Sequence, residues 1–478
     1  MASAWDQRSA GEQRRIQDVL VKQTVLQMAL AHVPLARTRL NAAGVDARTL
    51  RGVEDLKSRV PLTMRRDVVD PVRNPDGPWA FVLQGTAEGV KRFSDRSVLF
   101  RVARARLLGG EEVQQLQIES ASRSVHLHLA GGLGGPIPIS YTRDDLDLLA
   151  RAGARLAQLV GIDREDRLLN LVPFGPTIDY WGIFYMALGV GHTAVHTRHE
   201  DGYSDGGAAT FAMMQPTAVA VPADEAAQFP ETATEAGIDL SGLRTLLAVG
   251  RSLTKAERER VGEGLLAAGA AEARIAAAYG VAEGRVLWGE CAVPAGKTET
   301  FGFHTYPDME ILEVVSPETG EALDEETPGE IVVTPLGFRG GGVPRWRSGD
   351  LALGGITTRT CPNCARDVPR VGPTVRRNAW QRRVTLNGSA TRYDMRDTAA
   401  LLAPRMNDWQ VELASNGGQT DMFIYIAPKA DDPGQVIGIY EEHVRWQVPP
   451  TQIVLASPED VAAKRDATGG LFSRFAER

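Results

Sequence analysis

Apolar residues are spaced differently from one segment of this chain to the next, and the spacing predicts the elements. From Trp5 to Ala43 the positions Ile16, Val19, Leu20, Leu26, Leu30 and Val33 share one helical face, and Pro34 marks a break, so the chain opens on a helical lead-in followed by a loop to Pro61. From about residue 80 to about residue 245, short apolar runs alternate with longer amphipathic ones. Arg143 to Val160 and Trp181 to Leu188 read as helices, and Arg167 to Val172 and Ala218 to Val221 as strands. Leu243 to Gly250 repeats the strand signal, and Ala256 to Ala268 supplies the next helix. This alternation predicts an α/β fold, a large multi-layer domain with mostly parallel sheets. At Met309 to Val315 and Gly329 to Thr334 the period falls to two, across the turn-rich Ser316-Pro-Glu-Thr-Gly320, which predicts antiparallel strands. Beyond about Thr385 a small α+β unit is expected, with Arg392 to Leu402 and Ile437 to Trp446 as helices and Trp409 to Ala414 and Met422 to Ile426 as strands.

Length and composition narrow the classes. A chain of 478 residues is too long for one core. Hydrophobic residues make up 43% and charged residues 24%, the mix of an ordinary globular protein. With 53 basic and 60 acidic residues, net charge −7, there is no general electrostatic reason to bind nucleic acid or an anionic membrane, and small molecules are the expected partners. No targeting segment and no apolar run long enough to span a bilayer is read, and three cysteines fit a reducing compartment, so the expected location is the cytoplasm. A homodimer is compatible with this composition.

The cysteines carry the first chemistry. In Cys361-Pro-Asn-Cys364 a two-residue gap lets both thiolates face one tetrahedral Zn²⁺, and the remaining Cys291, with His304 after it, completes a four-ligand N/S set. A redox CxxC pair, or unrelated thiols, is the competing reading. His126 and His128 alternate on one strand just before a glycine-rich stretch, as donors at an anion site or as ordinary cleft histidines. His192, His196 and His199 are better explained as one side of a loop than as a metal cluster.

The order of further motifs resembles the adenylate-forming acyl-CoA synthetase-like superfamily, specifically its phenylacetate-CoA ligase-like branch. The resemblance runs from Ala43-Gly-Val-Asp46, Val53-Glu-Asp-Leu56 and Val60-Pro-Leu-Thr63 with Asp67, through Ser140-Tyr-Thr-Arg-Asp-Asp145 and Tyr180-Trp-Gly, to Tyr279-Gly-Val-Ala-Glu283. Pro328-Gly-Glu-Ile-Val332, Trp346-Arg-Ser-Gly-Asp350 and Pro369-Arg-Val-Gly372 complete it. It implies residues 1–377 as a nucleotide- and acyl-binding domain with an inserted zinc knuckle, and residues 378–478 as a small mobile lid. It implies ATP-dependent, AMP-forming activation of an aromatic or related carboxylic acid, with CoA or an amine as acceptor. By the same resemblance Asp350 and Arg377 hold the ribose, Tyr279 stacks on adenine, Gly250 and Gly280 let the backbone approach the nucleotide, and Glu283 holds Mg²⁺. Phe174, Gly175, Asp179, Tyr180 and Trp181 line the acid pocket, with Asp179 addressing an amino or hydroxyl substituent.

Two departures shape the expectation. The family cradles phosphates on a loop rich in Ser, Thr and Gly with a Lys, whereas Leu129-Ala-Gly-Gly-Leu-Gly-Gly-Pro136 keeps the backbone amides of Gly131, Gly132, Gly134 and Gly135 but no hydroxyl or lysine. At the position of the family's C-terminal lysine stands Gly470, with Lys464 nearby as substitute. Three readings follow: adenylation with replacement donors, binding of a nucleotide or a preformed acyl-adenylate or acyl-CoA, or a non-catalytic binding protein. Bacterial natural-product biosynthesis is the expected setting by analogy.

Overall fold

A computed structural model describes residues 8–26, 33–85, 96–131, 135–197, 205–372, 375–376, 381–386, 389–394, 402, 405–416, 419–429, 434, 437–438, 451–468 and 475–477. Two compact units divide the chain: Met1–Val314 with Leu323–Arg377, and Val315–Ala322 with Asn378–Arg478.

The first unit is built on a sheet that, among the described residues, has ten strands. Parallel pairing joins Thr193–His196, Arg167–Asn170, Ala218–Pro222, Thr245–Val249 and Arg274–Tyr279 in that spatial order. Thr245–Val249 is buried along its whole length, as a strand covered on both faces must be, which is why Leu246 to Val249 is an unbroken apolar run. After Tyr279 the pairing changes sense. Trp288–Gly289, Phe303–His304, Arg370–Val371 and Ile356–Thr357 extend the same sheet antiparallel, because connections as short as residues 280–287 cannot carry a crossover. The mostly parallel sheet expected from the sequence is thus parallel on one side of Tyr279 and antiparallel on the other.

A second sheet orders Glu310–Val315, Gly329–Pro335, Trp346–Ala352 and Val375–Arg376. The strands His126–Ala130 and Ile137–Tyr141 form a separate antiparallel pair. The N-terminal lead-in is two helices, Ala10–Leu26 and Pro34–Ala42, with Pro34 in the first turn of the second, where its missing N–H costs nothing.

Helix Arg143–Val160 starts on a capping box in which the Thr142 side chain accepts from Asp145 N and the Asp145 carboxylate accepts from Thr142 N, and it ends on left-handed Gly161. It packs closely on helix Ile178–Val190, which carries Tyr180 and Trp181. The contact is made by glycines. A Cβ at Gly153 would lie 2.5 Å from the Met186 backbone, and one at Gly189 would lie 2.0 Å from Ala150 O.

The second unit pairs Met406–Asn416 with Gln419–Pro428 antiparallel, flanked by Thr451–Leu455 and Phe475–Glu477 in parallel, with helix Pro458–Thr468 on Met406–Asn416. The helix expected from Arg392 is corrected. Ser389–Asp394 is a strand paired with Gln381–Leu386, and the dipeptide Asn387-Gly388 between them is a strong hairpin signal in the sequence. Most of the expected helices beyond Met395 and Ile437 falls outside the described residues.

Gly189→Ala is expected to push the two helices apart and destabilise the protein by about 1–3 kcal/mol, as overpacking of a tight contact does. A denaturant midpoint equal to that of the wild type would contradict this close approach.

Candidate functional site

The carboxyl ends of parallel strands are where open α/β sheets hold ligands, and the sequence-predicted residues gather there. Thr245–Val249 ends at Gly250, whose φ of 116° only glycine adopts readily and whose N–H donates to Ala278 O at 2.8 Å. The neighbouring strand ends at Tyr279. Gly280 follows in a place where a Cβ would meet Val286 O at 2.4 Å. Glu283 sits half-buried in the short turn Ala282–Gly284, which packs against His126–Ala130, Gly329–Pro335 and Trp346–Ala352. That one turn brings the glycine-loop strand and the Asp350 strand to the same place.

Asp350 is aimed by an irregularity in its strand. Glu330 pairs with Leu351 and Val332 with Arg347, so Ser348, Gly349 and Asp350 stand opposite the single residue Ile331. The bulge is held at each residue. Ser348 Oγ donates to Ile331 O at 2.8 Å and accepts from Asp350 N at 3.0 Å. Gly349 takes a φ of 80°, and its N–H donates to Glu330 Oε1 at 3.0 Å. Glu330 is also paired with Arg347, whose Nε lies 3.0 Å from Oε2. The sequence Arg347-Ser-Gly-Asp350 is therefore a folding unit as well as a chemical motif.

The Tyr279 hydroxyl donates to Asp350 Oδ2 at 2.6 Å, which ties the end of the large sheet to the bulge of the second. The Tyr279 ring is wholly buried, with Trp288 at 5.5 Å and Phe303 at 5.4 Å between centroids. Stacking on adenine needs an uncovered ring face, and in this arrangement the Tyr279 ring is buried while its hydroxyl reaches Asp350.

Gly131 and Gly135 are exposed at the ends of the glycine loop, Gly135 with a φ of 97°, and Gly132 and Gly134 lie outside the described residues. A clasp there has no marker in the residue pattern. Buried Arg65 donates to Ala130 O at 3.2 and 3.3 Å and also to Gly135 O, so its guanidinium bridges the two ends of the loop. Arg65 stands inside the Thr63 to Asp67 lead-in, where only its position near a recognised motif marks it. Arg285 was missed for the same reason. Wholly buried, it donates to Ser140 O at 2.6 Å and Gly341 O at 2.7 Å, and lies 5.0 Å over the Tyr141 ring.

The expected acid-pocket residues are adjacent to this loop, because Leu129 N donates to Pro176 O at 2.6 Å. Exposed Phe174 lies 5.1 Å from Tyr180, which lies 5.5 Å from Trp181. Gly175 precedes the helix, and Asp179 occupies its first turn. His196 bonds Asn170 Nδ2 at 3.1 Å, while His199 and Arg377 lie outside the described residues. In the second unit Lys464 lies 3.8 Å from buried Glu412 and 4.1 Å over the Tyr425 ring, and Gly470 is outside the described residues.

A separate centre lies where Trp288–Gly289, Phe303–His304 and the loop after Thr357 meet. One ligand atom each from Cys291, His304, Cys361 and Cys364 falls within 4.8 Å of the others. Cys291 Sγ and Cys361 Sγ are 3.8 Å apart, far beyond a disulfide bond, and two thiolates at about 2.3 Å from one tetrahedral zinc stand about 3.8 Å apart. Cys364 Sγ is 3.2 Å from His304 Nε2. The knuckle is closed by Cys361 N to Arg366 O at 3.0 Å and Ala365 N to Cys361 O at 2.9 Å, and Asn363 Nδ2 donates to Cys291 Sγ at 3.1 Å. Hydrogen bonding with Cys291 pushes the Cys361 and Cys364 thiols down, and that with Cys361 pushes Cys291 up. His304 Nδ1 is buried without a hydrogen-bond partner among the described residues.

Among known proteins, the chain is 28% identical over 368 residues to a phenylacetate-coenzyme A ligase of Thermus thermophilus, covering 76% of this chain and 70% of that one. It is 25% identical over 350 residues to the phenylacetate-coenzyme A ligase of Pseudomonas putida, covering 73% and 66%. No family model matches. Among solved structures, 2-hydroxyisobutyryl-CoA ligase in complex with 2-HIB-AMP and CoA shares the fold at a TM-score of 0.57 and 18% identity, over 98% of this chain and 90% of that one. The same enzyme in its postadenylation state gives 0.57 and 18% over 95% and 88%.

Tyr279→Phe leaves the buried Asp350 carboxylate without its short donor and is expected to cost about 1–3 kcal/mol of stability. Chemical denaturation at neutral pH measures it, and an unchanged midpoint would show that the pair does not join the two sheets.

Proposed function

We propose that this chain, a divergent phenylacetate-CoA ligase-like member of the adenylate-forming superfamily, is an AMP-forming ligase that activates an aromatic or related carboxylic acid. The acid's carboxylate attacks the α-phosphorus of ATP, pyrophosphate leaves, and the acyl-adenylate passes its acyl group to CoA or an amine. The reading is supported by the sequence relatives, both CoA ligases, and above all by the bulge that aims Asp350 at the carboxyl edge of the sheet beside the Glu283 turn.

In this account Asp350 accepts from the ribose hydroxyls, and Arg377 is the second residue proposed to hold the ribose. A carboxylate oxygen accepts more than one hydrogen bond, so Tyr279 orients Asp350 without exhausting it. The amides of Gly131, Gly132, Gly134 and Gly135 face the phosphates, and Arg65 holds the ends of that loop. Glu283 holds Mg²⁺, which when bound neutralises charge on the departing pyrophosphate. Gly250 and Gly280 allow close backbone approach, Phe174, Gly175, Asp179, Tyr180 and Trp181 take the acid, and Lys464 of the lid, residues 378–478, supplies the late positive charge. We place the enzyme in the cytoplasm, in a bacterial natural-product pathway, as a homodimer.

The glycine loop favours a second reading. Without hydroxyls or a lysine it leaves the triphosphate to its amides, with the Arg65 guanidinium bonded to the loop carbonyls, which suits a protein that binds nucleotide or acyl-adenylate without making it. ATP–pyrophosphate exchange across a panel of aryl acids separates the two. Exchange that depends on the acid, and that falls at least about a hundredfold in Asp350→Ala, is expected of the ligase. Tight AMP binding with no exchange for any acid would establish the other.

The four-ligand centre is proposed to hold a structural zinc that fastens the loop after Thr357 to the strands beneath it. Metal analysis of the purified protein is expected to give one zinc per chain. Cys361→Ser is expected to lose it and to lower the thermal midpoint by at least about 5 °C. Loss of zinc with no change in the midpoint would contradict the structural role.

A further inference from the structure

Strand His126–Ala130 places His126 and His128 on one face, their rings 4.8 Å apart, beneath helix Ile178–Val190. Trp181 lies 4.5 Å from His126 and is stacked on His128 at 6.3 Å, and Tyr185 lies 6.3 Å from His126. His128 is 1% exposed. The Nε2 atoms of both histidines are buried and have no hydrogen-bond partner among the described residues. Two dry polar nitrogens side by side in a ring of aromatic side chains are costly unless something arrives to pair with them.

Burial holds both imidazoles below their ordinary pKa, so each is neutral and offers one donor and one acceptor. The tautomer of His128 follows from its neighbour. Its Nδ1 is 2.9 Å from the hydroxyl of Tyr141, a wholly buried phenol that burial pushes up and keeps protonated. An Nδ1 that accepts from that hydroxyl leaves the imidazole proton on Nε2, the unpaired atom. Arg285, the nearby cation, is committed to the carbonyls of Ser140 and Gly341. Uncharged donors suit an uncharged oxygen better than a carboxylate, which would lose its hydration without a facing cation.

We propose that His128, with His126, is a specificity-determining subsite that donates a hydrogen bond to an uncharged oxygen, a hydroxyl or carbonyl, on the ring of the aromatic acid. The assignment rests on the acid-activating reading, since it places the acid beside Trp181.

Calorimetry on the full chain with matched acids tests it: phenylacetate against 4-hydroxyphenylacetate, and benzoate against its 3- and 4-hydroxy derivatives. At least one hydroxylated acid is expected to bind about tenfold tighter than its parent. His128→Phe is expected to remove that preference while the parent acid still binds, and His128→Gln, which keeps a donor, to retain part of it. Equal affinity within every pair, a preference surviving in His128→Phe, or no binding of any acid would overturn the proposal. Should His128→Phe fail to fold, nitrogen spectra of histidine-labelled wild type decide. Protonated Nε2 and a resonance that moves on adding the hydroxylated acid are expected, and an Nδ1-protonated or unresponsive ring overturns the proposal. Binding is read, not turnover, so a preserved preference without pyrophosphate exchange would sink only the ligase reading, and exchange without preference only the subsite.

Discussion

The hydrogen bond from the Tyr279 hydroxyl to Asp350 joins the two sheets of the first unit at the point where a nucleoside is proposed to sit. On one side stands the last strand of the parallel ladder, on the other a strand bulged by Ser348 and Gly349. Neither group is free to turn. Tyr279 is packed between Trp288 and Phe303, and the bulge is pinned by the buried Glu330–Arg347 pair. A buried carboxylate with a fixed donor is already oriented, and preorganised acceptors lose less ordering entropy when a ligand arrives.

The phosphate side is built on another principle. The glycine loop proposed to face the phosphates carries no hydroxyl or lysine in its sequence, and it is spanned by Arg65 through the carbonyls of Ala130 and Gly135. A clasp through carbonyls fixes the shape of a loop but leaves the anion to the amides. The proposed site is therefore asymmetric, with a firm nucleoside end and a lightly equipped phosphate end. The end proposed for the acid is aromatic, with His126 and His128 beneath Trp181.

Much of this was legible before any coordinates. Arg143 to Val160 declared itself by its apolar spacing, and Leu243 to Gly250 by a repeat of the strand signal. The gathering of Cys291, His304, Cys361 and Cys364 followed from thiol spacing and the scarcity of other candidates. What local pattern could not carry was long-range. Arg65 and Arg285 look like surface charges in sequence, and only the fold shows them buried and donating to carbonyls far along the chain. The burial of the Tyr279 ring depends on Trp288 and Phe303, which arrive through the antiparallel return of the chain. Arg392–Asp394 reads in sequence as the start of a helix but lies in a strand, because strand pairing, not residue spacing, decides so short a segment.

The asymmetry between the two ends of the nucleotide is the centre of this account, and paired calorimetric titrations of the intact protein with AMP and with ATP–Mg²⁺ measure it directly. Saturable binding of AMP, abolished in Asp350→Ala, with ATP bound no more than about tenfold tighter than AMP, is the predicted result. No detectable AMP binding, or ATP held a thousandfold or so more tightly than AMP, would contradict it.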